Sequence, residues 1–136
     1  PLLGRHKTAR GFIFGTLFAI GVTWMQFELA TYGVIDFDNI ISYEKENFFI
    51  LGALLGFGSL VGDSVGSFIK RRLGRESGSP LPVLDQIGMA IFAIIFVLFV
   101  YPLSANIIIT LIALSFILHI LAVKVAYYSG LRQEKW

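Results

Sequence analysis

The residues best placed to do chemistry lie in one stretch, Gly62-Asp63-Ser64-Val65-Gly66-Ser67-Phe68-Ile69-Lys70-Arg71. Asp63 falls inside a segment that is otherwise apolar. A carboxylate in such surroundings is costly, and within a membrane span it marks a functional site by default. On a helix it would sit about 10 Å from Lys70, at 1.5 Å of rise per residue. Spacings of four, three and one then put Asp63, Ser67, Lys70 and Arg71 on one face, with Ser64 on a neighbouring face. A carboxylate can hold a divalent cation through oxygen. Lysine and arginine neutralise phosphate oxygens, and serine hydroxyls bond to either. A metal-bound polyphosphate needs both signs of charge close together, which this cluster supplies. The plainer reading is a structural Asp–Lys contact, or a polar group bonded to a neighbouring helix.

Two further polar elements could join it. Pro82-Val83-Leu84-Asp85-Gln86 places Asp85 at the start of an apolar segment, where an acid also suits the first turn of a helix by its dipole. Paired with Asp63 it becomes a candidate second metal ligand. Lys7-Thr8-Ala9-Arg10-Gly11 precedes another apolar segment, where basic residues ordinarily anchor a span at the membrane surface. Gln26 and Glu28 read as groups near the far end of a span, Glu28 reaching the interface. His119 reads as a packed, hydrogen-bonded histidine. There is no cysteine, which excludes disulfides, thiolate catalysis and cysteine-rich metal sites.

The elements that must carry these residues are membrane helices. Of the 136 residues 56% are hydrophobic and 15% charged, against about a quarter charged in a soluble domain. Four apolar stretches, from Gly11 to Gly33, Phe48 to Ile69, Val83 to Tyr101 and Ile107 to Tyr128, each approach the roughly 20 residues that cross a bilayer core. Lipid-exposed spans satisfy their backbones internally, so each should be a helix. The expected architecture is all-α, a polytopic helical bundle forming a single transmembrane domain over 1–136. A loop over 70–82 connects the second and third spans. Lys45 alone falls on one side of this arrangement. The other ten of the 11 basic residues, including Lys7, Arg10, Lys70, Arg71 and Lys124, fall on the other. That bias makes the basic side cytoplasmic, in a multi-pass protein of the cell membrane. Basic residues at a membrane surface are not read as a nucleic-acid site. Gly52 and Gly56, and Gly58, Gly62 and Gly66, recur every fourth residue and should let helix backbones approach closely. The chain begins at Pro1 rather than Met, and residues are expected to precede it.

The stretch from Gly62 to Arg71, the glycine- and proline-containing loop, Pro82-Val83-Leu84-Asp85-Gln86 and Lys7-Thr8-Ala9-Arg10-Gly11-Phe12 together resemble the CDP-archaeol synthase family over nearly the whole chain. Ser67-Phe68-Ile69-Lys70-Arg71 is similar also to the wider phosphatidate cytidylyltransferase group. The resemblance implies an archaeal membrane enzyme of five transmembrane helices, a first one lying before this sequence. It would transfer cytidylyl from CTP to an isoprenoid-ether glycerol phosphate, with magnesium as cofactor and release of pyrophosphate. On that pattern Asp63 and Asp85 bind metal and phosphate, and Asp63, Lys70 and Asp85 form the catalytic set. Arg71, Ser64 and Ser67 contact nucleotide, while Lys7, Thr8 and Arg10 form the substrate entry. One departure stands out: the family often has a second acid three residues after the Asp85 position, and here Gly88 occupies it. The rival reading from the residues alone is a small transporter or channel subunit with Asp63 as an ion or proton site. It leaves Ser67, Lys70 and Arg71 without a role.

Overall fold

The computed structural model describes residues 8–34, 47–74 and 82–130, and for 82–86 the backbone only. Lys7, the acidic first loop, the loop from Arg75 and the tail from Leu131 lie outside the described residues. Four helices follow in order: α1 (Ala9–Thr31), α2 (Phe48–Arg72), α3 (Pro82–Leu98) and α4 (Ala105–Tyr128). They account for the regular structure among the described residues, as the apolar stretches require. Three of them, α1, α2 and α4, are long and apolar enough to cross a membrane. The third expected span is the exception. Its apolar stretch reaches Tyr101, but α3 ends at Leu98 and has 17 residues. Phe99 and Val100 form a turn instead, with their amides bonded to Phe96 and Val97 carbonyls. Pro102 then prevents the helix from resuming at once, because its nitrogen carries no donor.

The helix ends follow local chemistry. Thr8, Asn47 and Ser104 are N-caps, each side chain accepting from backbone amides of the first turn. Such caps satisfy amides that have no partner within the helix. Gly74 ends α2 with φ at 71°, a left-handed conformation that costs glycine little. Lys70, Arg71 and Arg72 occupy the last turn of α2, where cations suit the helix dipole.

α2 is the central helix. It packs against α1 on one side and α3 on another, and α4 packs on α3. The glycine ridges make both α2 interfaces. A Cβ on Gly52 would meet Thr23 Oγ1, and would come within 2.7 Å of Ile20 Cα. One on Gly56 would come within 2.7 Å of Ala19 Cβ and 3.0 Å of Thr16 Cα. These two glycines face α1. Gly58 and Gly62 face α3, where a Cβ would lie 2.9 Å from Ala93 Cα and 2.7 Å from the Gly88 carbonyl oxygen respectively. The sequence spacing thus foretold close approach, and the structure divides the glycines between two partners.

Thr23 fastens the α1 side. It is buried, and its hydroxyl lies 3.0 Å from the Phe48 carbonyl, besides contacts to Ala19 and Ile20 carbonyls on its own helix. The Phe48 carbonyl sits at the start of α2, so one side chain links the two helices. An interhelical bond of this kind is worth about 0.6 kcal/mol on average within a membrane.

Candidate functional site

The helix contacts fix which polar residues share an end of the bundle. Going along α2, Gly52 lies against Ile20 and Thr23, Gly56 against Thr16 and Ala19, and Leu60 against Gly15. As α2 advances, α1 recedes, so the two are antiparallel. Continuing that register brings Ser64 and Ser67 level with the first turn of α1 and its cap Thr8. On the other side Gly58 meets Ala93 and Phe96, and Gly62 meets Gly88, Met89 and Phe92. The next turn of α2 is then level with the first turn of α3, which contains Asp85. The C-terminal turns of α2 and the N-termini of α1 and α3 therefore gather at one end. Convergence of the three elements, expected from charge alone, has a packing basis.

Within that end the residues differ in surroundings. Asp63 is half-buried, as are Ser67, Lys70 and Arg71, while Thr8 and Arg10 are exposed. Asp63, Lys70 and Arg71 all have interaction partners. Arg71 Nε donates to the Ser67 carbonyl at 3.3 Å, which draws its guanidinium back along α2. Ser64 is buried, and its hydroxyl donates to the Leu60 carbonyl at 2.8 Å. That proton is committed to the helix backbone. Thr8 Oγ1 accepts from the Gly11 amide at 3.2 Å, so its side chain is engaged in capping α1. Asp85 lies in the first turn of α3, as the sequence led us to expect.

The donor set suits a hard divalent cation in part. Asp63 offers carboxylate oxygens, which magnesium prefers, towards the end of α2 that carries Lys70, Arg71 and Arg72. Among the described residues no group of three or more histidine and acidic side chains assembles. A cation held here would therefore need oxygen ligands beyond Asp63 and the Asp85 position, as magnesium commonly has from water or ligand.

Two features lie outside the sequence expectations, and a third departs from them. Arg72 holds its guanidinium over the Phe68 ring, 5.2 Å from the centroid; the spacing of four between them was the available signal. Thr23 bonds across to α2, which its type alone could not reveal. His119 was expected to be hydrogen-bonded. It is half-buried, and among the described residues it has no hydrogen-bond partner. α4 packs on α3 alone, so few polar groups come within its reach.

A family model described as CarS-like, CDP-archaeol synthase, matches residues 1–136. The chain belongs to the CDP-archaeol synthase family. Relatives bearing that name include one from Methanococcus aeolicus, 38% identical over 127 residues, covering 93% of this chain and 68% of the relative. The protein of Methanocaldococcus jannaschii is 37% identical over 136 residues, covering 99% and 76%. That of Methanococcus vannielii is 48% identical over 87 residues, covering 64% and 49%. The matches thus span from about half to three quarters of these relatives' length. No solved structure matches the chain.

Proposed function

We infer that this chain is a membrane cytidylyltransferase that moves CMP from CTP to an isoprenoid-ether glycerol phosphate, giving CDP-archaeol and pyrophosphate. The observation that carries this reading is the family match along the whole chain. The gathered polar end supports it with suitable chemistry. In the reaction a phosphate oxygen of the lipid attacks the α-phosphorus of CTP. The bond from that phosphorus to the oxygen bridging it to the β-phosphorus breaks, and pyrophosphate leaves with the electron pair. The attacking phosphate is already ionised near neutral pH, so no strong general base is required. Catalysis rests on positioning and charge neutralisation.

Lys70 and Arg71 neutralise the triphosphate and then the departing pyrophosphate. Ser67 donates to a phosphate oxygen from the same helical face. Lys7, Thr8 and Arg10 border the substrate entry. Asp63 and Asp85 are the residues that would hold magnesium, which when bound balances phosphate charge and orients phosphate oxygens. In the bilayer α1, α2 and α4 span as full-length helices. We take α3 as a short fourth span, about 25 Å long at 1.5 Å per residue, with the polar end facing the cytoplasm, where nucleotide is available.

The deciding experiment supplies purified protein with CTP, magnesium and the lipid phosphate and follows pyrophosphate. Release that depends on all three supports the reading. If Asp63→Asn and Lys70→Ala both keep full turnover, the site assignment is wrong even with the activity present. A channel or transporter using Asp63 would release no pyrophosphate.

A further inference from the structure

A face of α2 distinct from that of Asp63 carries a second feature. Phe57 meets Phe12 of α1 edge-on, with centroids 6.1 Å apart, and meets Phe96 of α3 at 5.6 Å. Among the described residues α1 and α3 do not pack on each other. Phe57 therefore forms the floor of a crease between them, and it remains 45% exposed. The same face of α2 continues through Val61 and Phe68 to Arg72. Steps of four, seven and four residues keep these side chains on one stripe of a 3.6-residue helix. Asp63 falls about 120° around the helix from Phe57 and about 180° from Arg72.

The stripe ends in a cation. Arg72 is exposed, its guanidinium lies over the Phe68 ring, and among the described residues it has no carboxylate partner. Stacking on a ring holds the guanidinium plane while its edge N–H groups stay available to an anion. From Phe57 to Arg72 the helix rises about 22 Å. One leaflet, from the bilayer midplane through its headgroups, measures about 20–22 Å, half of a bilayer's total. A stripe of one leaflet's length, seated in the crease at Phe57, thus ends in a poised guanidinium.

We propose that this crease binds one anionic bilayer lipid, with a chain over Phe57 between α1 and α3 and its phosphate on Arg72. The site lies on a different face of α2 from Asp63, and the proposal is independent of the transferase reading. Charge complementarity selects the occupant: the apolar floor accepts any lipid chain, while Arg72 favours a net negative headgroup.

The test uses the full chain in nanodiscs of mixed phosphatidylglycerol and phosphatidylcholine, with retained lipids counted by native mass spectrometry after release. The expected result is one retained lipid, with phosphatidylglycerol favoured by about fivefold, as one interfacial basic residue provides. Arg72→Gln should abolish the preference, Arg72→Lys should keep part of it, and Phe57→Leu should lower retention. Asp63→Asn should change nothing, and neither should added CTP. The proposal is overturned if the wild type shows no preference, or if Arg72→Gln keeps it. Loss of the lipid in Asp63→Asn would overturn it too, by placing the lipid at the polar end. Arg72 is exposed at a helix end, and helical content by circular dichroism should be unchanged in its variants.

Discussion

Asp63 lies nine residues before the end of α2, about 14 Å along the helix axis, and Lys70 and Arg71 stand between it and the aqueous end. Replacing its carboxylate by an amide of the same shape removes charge without removing volume. Asp63→Asn should therefore lower turnover at least about a hundredfold, the usual scale for losing a group that balances charge in the transition state. Helical content should stay at the wild-type level; a fall in both would make Asp63 structural. Ser64 calls for the opposite expectation. Its hydroxyl is committed to the Leu60 carbonyl inside the bundle, so Ser64→Ala should leave the KM for CTP unchanged and cost at most about 1 kcal/mol of stability. A raised KM would assign it to the nucleotide instead. Magnesium removal belongs at this scale as well. Chelation should stop pyrophosphate release, and added magnesium should restore it, if Asp63 and Asp85 serve as ligands.

Between helices the informative contrast is Gly62 against Gly88. Both lie at the α2–α3 contact, yet only Gly62 is required there. Its Cβ would sit 2.7 Å from the Gly88 carbonyl oxygen and 3.0 Å from Met89 Cα. At Gly88 the nearest atom to a new Cβ is the Gly62 carbonyl oxygen, at 4.0 Å. Gly62→Ala should thus force the helices apart and cost about 1–3 kcal/mol. Gly88→Ala fits without such movement and gains the helix preference of alanine, about 0.5–1 kcal/mol. Thermal melts of the two variants in one detergent should move in opposite directions. Gly88 therefore owes its identity to something other than packing, and the space beside it could accept the acid that the family resemblance leads one to expect.

For the whole molecule the open question is how the bundle sits in the bilayer. The chain has no cysteine, so single cysteines report their surroundings cleanly. Cysteine at Arg72 or Gly130 should react with an impermeant thiol reagent from the cytoplasmic side, and cysteine at Pro102 from the opposite side. Labelling of Arg72 and Pro102 from one side, with Gly130 from the other, would mean that α3 does not span. The arrangement of contacts also gives the described helices their crease over Phe57. Among the described residues α2 is held by α1 and α3, while α1 and α3 do not pack on each other, so Asp63 and Arg72 lie on different faces of one helix.

The sequence by itself determined that the chain is helical and membrane-embedded, because runs of apolar residues of bilayer length have no other low-energy backbone solution in lipid. It also determined the make-up of the polar end, since helical spacing ties Asp63, Ser67, Lys70 and Arg71 to one face, and it carried the family resemblance that the comparisons bear out. What only the tertiary structure decided is which neighbour each face meets. Periodicity fixes a side chain's direction about its own axis, but in lipid no hydrophobic force selects one helix partner over another. Close packing makes that choice: Gly52 and Gly56 took α1, Gly58 and Gly62 took α3, and those contacts set the register. The register brings Thr8 and Asp85 level with the turns of α2 beyond Asp63. It also leaves Phe57 and Arg72 on a face of their own.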